Sequence, residues 1–176
     1  MKAKGIRIFS IVLGSLGMAY GLIGLFVISV EQIVFTSIFR NIYEPGLEPV
    51  LESFLFPFFR YMMIFQPFIV LIGLGYLLFG IRYFSIGSGR HTISLILCIA
   101  SLVWYTVFAT GLILLMQRFI MEMTGDFFES PGAVYIILAS SFAFGYAYYG
   151  VPQLLISSWV KKDVAREESQ QHGIEV

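Results

Sequence analysis

Charge is what this chain has least of. Asp, Glu, Lys and Arg make up 12% of its 176 residues, roughly half the share of a soluble domain. Hydrophobic residues make up 58%, and the mean hydropathy is +0.85. So few charges cannot cover a soluble surface of this size, which excludes a soluble enzyme, a nucleic-acid-binding module and a disordered chain. Cysteine is nearly absent too. Cys98 stands alone, so there is no intrachain disulfide and no thiol–disulfide relay. Within its apolar run it reads as a small buried hydrophobe. The two histidines, His91 and His172, flank charged segments. No pair of them lies inside an apolar run to hold a haem, and nothing in the sequence implies a cofactor or a metal.

The charges that exist are clustered, and four long runs between them carry none. These are residues 8–30, 61–81, 92–117 and 130–160. A helix needs about 20 apolar residues to cross roughly 30 Å of hydrocarbon, so each run is long enough for a span. Segments such as Phe68 to Ile72 and Leu95 to Ala100 do not alternate apolar with polar residues, which argues against a β-barrel. The first run follows Lys2, Lys4 and Arg7 and resembles a signal peptide at first sight. Its 23 residues exceed the usual apolar core of 7–15, so it is read as a span. The expected fold is an all-α, polytopic bundle of four transmembrane helices forming one domain over residues 1–160, with a charged tail at 161–176. Its spans are 8–30, 61–81, 92–117 and 131–159.

Charge placement also suggests an orientation. Lys2, Lys4, Arg7, Arg82, Arg90, Lys161, Lys162 and Arg166 fall on one side of this layout, and Arg40, Arg60 and Arg118 on the other. Eight basic residues against three place both termini in the cytoplasm by the positive-inside rule. The expected location is therefore the cytoplasmic membrane.

The connecting segments differ in character. Residues 31–60 form a long outer segment with two amphipathic patterns. Phe35, Ile38, Phe39 and Ile42 make the first, and Leu47, Val50, Leu51, Phe54, Leu55 and Phe58 the second. Glu44-Pro45-Gly46 breaks them, and Pro57 is expected to end or kink the second. This segment reads as a helix lying on the outer surface of the membrane, or dipping into it. Ser85 to Arg90 reads as a plain tight turn. In the second outer segment, Gly125 suits a helix C-cap, and Ser130-Pro131 suits the start of the fourth span. Glu31, Glu44, Glu48, Glu52, Glu122, Asp126 and Glu129 carry the acidic charge of the outer side. The tail has too few apolar residues to fold alone, although its pattern allows the fourth helix to continue into it.

Small residues mark where backbones approach inside the bilayer. Gly14, Gly17 and Gly21 do so in the first span, Gly73 and Gly80 in the second, and Ala139, Ala143 and Ala147 in the fourth. Either another helix of this chain or another subunit could occupy such faces. Gln66, Trp104, Tyr105, Tyr146 and Gln153 are polar or amphipathic groups at membrane depth. They need hydrogen-bond partners, supplied either by neighbouring helices or in a pocket for an apolar ligand.

No charged residue lies in the four runs, which argues against proton relays, voltage sensing and ion-coupled pumping. No catalytic motif of membrane hydrolases is present, and the span serines have no basic partner. The layout resembles that of tetraspan proteins such as claudins. The tryptophan and paired cysteines of claudins are missing from residues 31–60, however, and tetraspanin cysteine motifs are missing as well. The functional expectation is a non-catalytic accessory or scaffold subunit of a larger membrane complex, or a self-associating protein. Its partners would be membrane lipids and other membrane subunits or further copies of itself, with no nucleic acid. The alternative is a lipid or small hydrophobic-solute binding or transport protein, or an oligomeric channel.

Overall fold

The computed structural model describes residues 3–41, 56–123, 136, 139, 140, 143 and 146–172. Among these the chain is all-helical. Helix α1 spans Ala3–Asn41, α2 Phe56–Ile81, α3 Arg90–Met123 and α4 Val151–His172. A 3₁₀ turn at Gly87–Gly89 leads into α3, and a π turn at Tyr146–Gly150 leads into α4. The first three helices are long and apolar enough to cross a membrane. At 1.5 Å per residue, the 39 residues of α1 extend about 58 Å, well beyond the hydrocarbon thickness. The outward faces are apolar, as lipid contact requires, with Ile23, Phe26 and Ile33 of α1 and Ile96, Val103 and Leu114 of α3 all exposed.

Residues 42–55 and most of 124–145 lie outside the described residues. With them go much of the expected outer amphipathic segment, Gly125, Ser130-Pro131, the first half of the expected fourth span, and Glu44, Glu48, Glu52, Asp126 and Glu129. Pro57 is the second described residue of α2, and the amphipathic pattern that it was expected to end or kink lies mostly outside the described residues. The π turn ends just before Pro152. Proline cannot donate to the carbonyl four residues back, and widening the preceding turn relieves that gap.

Helices α1 and α2 form an antiparallel pair whose backbones touch. A Cβ placed on Gly14 would lie 2.6 Å from the Gly73 carbonyl oxygen, and one on Gly73 would lie 2.6 Å from the Met18 amide nitrogen. At Gly80 it would lie 2.9 Å from the Ile11 amide nitrogen. Gly21 faces Val70, and Gly24 faces the Gln66 amide. The seam exists because these residues have no side chain to hold the axes apart.

One end of the bundle gathers the start of α1, the end of α2, the turn into α3 and the second half of α4. The fully buried core there consists of Ile6, Tyr76, Phe79, Tyr83, Ile156 and Val160, flanked by Phe9 and Trp159. The Phe9 and Trp159 rings meet edge-on at 5.6 Å. Because Lys4, Arg7, Arg82, Arg90, Lys161, Lys162 and Arg166 all belong to these segments, this is the basic end.

Candidate functional site

Two places combine polar groups in a way that packing alone does not require. The first is at the basic end. Gly87 adopts φ +64°, a left-handed conformation that glycine takes without a steric penalty. This reversal turns the chain into α3 and sets Arg90 at its first position. The Arg90 guanidinium is buried. Its Nε donates to the Gly87 carbonyl at 2.8 Å, Nη1 lies 3.5 Å from Asp163 Oδ2, and Nη2 bonds Glu167 Oε2. Its carbon Cζ sits 5.1 Å from the centre of the Tyr83 ring. Tyr83 Oη donates to Asp163 Oδ2 at 2.8 Å. Burial and this bond both raise the Tyr83 hydroxyl above its ordinary pKa, so it stays protonated and a donor. Asp163 and Glu167 are four apart, so one face of α4 carries both carboxylates. The cluster therefore ties the charged half of α4 to the α2–α3 turn. Lys161, Lys162, Arg166 and Glu168 of that half remain exposed.

The second place is a cavity of about 780 Å³. One wall comes from α1 at Leu13, Leu16, Gly17, Tyr20 and Ile23, and the floor from α2 at Ile69, Gly73 and Tyr76. Ser101 of α3 and Ala147, Val151, Pro152 and Gln153 complete it. Most hydroxyls in the helices are satisfied locally. Ser10, Ser29, Ser101 and Thr106 each donate to the carbonyl four residues back, at 2.7–2.9 Å. Gln153 Oε1 is different, buried and without a hydrogen-bond partner, while the buried Tyr76 hydroxyl lies beside the Ser101 side chain.

Of the residues expected to form a pocket, Gln153 borders this cavity, whereas Gln66, Trp104, Tyr105 and Tyr146 lie elsewhere. Trp104 Nε1 donates to the Phe65 carbonyl at 3.3 Å, and the Trp104 ring stacks on Phe108 at 5.4 Å. Tyr61 joins that α2–α3 contact by donating to the Phe108 carbonyl at 2.6 Å. Tyr105 meets the Tyr146 ring edge-on at 4.6 Å, and the Tyr146 hydroxyl bonds Thr106 at 2.6 Å. The Gln66 amide packs on Gly24. Among the small residues, Gly14, Gly17, Gly21, Gly73 and Gly80 lie on the α1–α2 seam, whereas Ala139 and Ala143 are exposed and Ala147 borders the cavity. Sequence reading missed the Arg90–Asp163–Glu167–Tyr83 cluster and did not single out Tyr76. For Tyr76 a signal existed, a tyrosine within the apolar second half of the second span. For Arg90 there was none, because its partners lie more than 70 residues away. No protein-family model, curated protein or solved structure matches the chain.

Proposed function

We propose that this chain is a non-catalytic integral membrane protein that acts as an accessory or scaffold subunit, joining a larger membrane complex or its own copies. In this reading it has four spans, at 8–30, 61–81, 92–117 and 131–159, with an amphipathic outer segment at 31–60. Both termini lie in the cytoplasm of a cell whose cytoplasmic membrane holds the bundle. The observation that supports the reading is the way the charged half of α4 is held. Asp163 and Glu167 are bound to a buried arginine, while Lys161, Lys162, Arg166 and Glu168 project from the same helix. A tail with no task needs no such fixing. A helix held at a set angle, with mixed charges on its free face, offers a partner a preorganised surface.

Extraction in mild detergent followed by native mass measurement tests this. The expected result is a stoichiometric assembly that dissociates when Lys161, Lys162 and Arg166 are all changed to Glu. A monodisperse monomer would overturn it. Sidedness is read by labelling Glu48→Cys and Glu168→Cys variants from outside intact cells. Native Cys98 is buried and contributes little background. Labelling at 48 but not at 168 is expected, and the reverse pattern would refute the orientation.

A further inference from the structure

We propose that Arg7 and Lys4 of α1, backed by Phe84, bind the headgroup of an anionic phospholipid at the basic end of the bundle. The link between α2 and α3 presents two adjacent rings, and an arginine sits on each. Arg90 Cζ lies 5.1 Å from the centre of the Tyr83 ring, and Arg7 Cζ lies 5.7 Å from the centre of the Phe84 ring. Both distances fall within the reach of cation–π attraction. The two rings meet edge-on at 5.5 Å. The cations differ in what answers them. Arg90 is neutralised by Asp163 and Glu167 of α4. Among the described residues the only ion pairs are those of Arg90, so Arg7 has none. Residues 1–30 and 53–121 contain no Asp or Glu, so neither α2 nor the first 30 residues can supply one. The anion that completes the second arrangement comes from outside the α1–α2 pair.

Position selects its source. Arg7 is the last charge before the charge-free run of α1, and Arg82 is the first after that of α2. Arg7 therefore stands at the membrane boundary, where phospholipid headgroups lie. This rests on α1 and α2 crossing the membrane, not on the accessory role. Gly80 keeps Arg7 close to α2, since a Cβ there would lie 3.0 Å from the Arg7 carbonyl oxygen. Nε of Arg7 is buried, so the terminal nitrogens of this half-buried side chain are what a ligand meets. A guanidinium can grip two oxygens of one phosphate. Lys4 is exposed three residues earlier, a neighbouring position on the same helix surface. Ile8, Ile81 and Phe84 are exposed as well and offer apolar surface to acyl chains beside these cations. A free phosphate ion gains nothing from that surface, and a zwitterionic lipid brings a cation of its own to the same place.

The test titrates the purified full-length chain in detergent micelles with phosphatidylglycerol, or with phosphatidylcholine of the same acyl chains, and counts bound lipid by native mass spectrometry. Phosphatidylglycerol should bind about tenfold more tightly, the scale of one or two basic residues acting on an anionic headgroup. Arg7→Gln should bring phosphatidylglycerol down to the phosphatidylcholine level and leave phosphatidylcholine almost unchanged. Lys4→Gln should lower the preference by a smaller factor. Phe84→Leu keeps every charge and should also lower it. Arg60→Gln removes an exposed charge at the opposite end of α2 and should leave the preference intact. Equal loss in Arg7→Gln and Arg60→Gln would mean diffuse charge attraction and would overturn the site. Equal binding of the two lipids would do the same, as would displacement of phosphatidylglycerol by inorganic phosphate. Retention of the chain in carbonate-washed membranes checks the placement of α1 and α2 separately; release would overturn that placement and the site with it.

Discussion

Replacing Arg90 with Met tests whether one buried cation fixes the charged half of α4. Methionine keeps most of the apolar stem and its contact with Tyr83, so the loss is mainly of charge. The side chain of Arg90 is 6% exposed, that of Asp163 11% and that of Glu167 49%. These values set the ranking. Removing Arg90 strands a mostly buried carboxylate, a situation that costs about 3 kcal/mol or more. Glu167→Gln removes a half-exposed partner, worth about 1 kcal/mol or less. Asp163→Asn falls between, because an amide oxygen still accepts from Tyr83 Oη while the Arg90 charge keeps Glu167. Thermal unfolding in detergent gives the order Arg90→Met, Asp163→Asn, Glu167→Gln. Limited trypsin digestion gives a local measure, since Lys161, Lys162 and Arg166 are exposed on this helix and are cut only when it loosens. Cleavage should quicken most in Arg90→Met and barely in Glu167→Gln. If Glu167→Gln costs as much as Arg90→Met, or if the tail is cut equally fast in all variants, the held-helix argument fails.

The α1–α2 seam makes a sharper contrast than most glycine pairs. A Cβ at Gly14 meets backbone atoms of Gly73, which cannot step aside, whereas at Gly17 the nearest atom is 3.4 Å away. Gly14→Ala should therefore destabilise by about 1–3 kcal/mol while Gly17→Ala is neutral or slightly stabilising, as read by melting in detergent; equal effects would deny the close approach. Gly87→Ala meets no neighbour within 4 Å, so only its positive φ opposes the change, and the expected cost is about 1 kcal/mol. Tyr61→Phe removes the hydroxyl that bonds the Phe108 and Val107 carbonyls and should cost about 1 kcal/mol; no loss in the unfolding midpoint would show that these bonds are incidental.

What the sequence can reveal here is local, and what it conceals is contact. Runs without charge are long enough for helices because every backbone group in lipid must be bonded within its own segment, and α1, α2 and α3 occupy such runs. Gly14 and Gly73 say that a backbone comes close, yet nothing in their spacing says whose. Trp104 and Tyr105 invite the idea of a pocket because their polar tips must be satisfied. The nearest carbonyl serves as well as a ligand, and Phe65 provides it for Trp104. Arg90 sits at the edge of a Gly-Ser link that reads as a plain turn, and its carboxylate partners belong to a tail that reads as solvated charge.

The polar groups at membrane depth sort by length of side chain, and that sorting locates the cavity independently of its shape. Serine and threonine reach the carbonyl one turn back on their own helix, so Ser10, Ser101 and Thr106 need no tertiary partner. Tyrosine and glutamine carry their polar atoms too far out to do this, so each must find a partner on another helix or from outside the chain. Tyr61 finds the α3 carbonyls, and Tyr146 finds Thr106. Tyr76 meets the Ser101 side chain, while Gln66 and Gln153 each retain an orphaned atom. Gln66 is pressed against Gly24 on the tight seam, where no guest molecule fits. Tyr76 and Gln153 instead border one open volume from opposite helices. A chain under selection only for packing would gain by making Gln153 a leucine, since an unpaired polar atom in an apolar site costs more than the group returns. Gln153→Leu should accordingly melt higher than wild type in detergent, and a variant that melts lower would mean that the amide serves the fold itself.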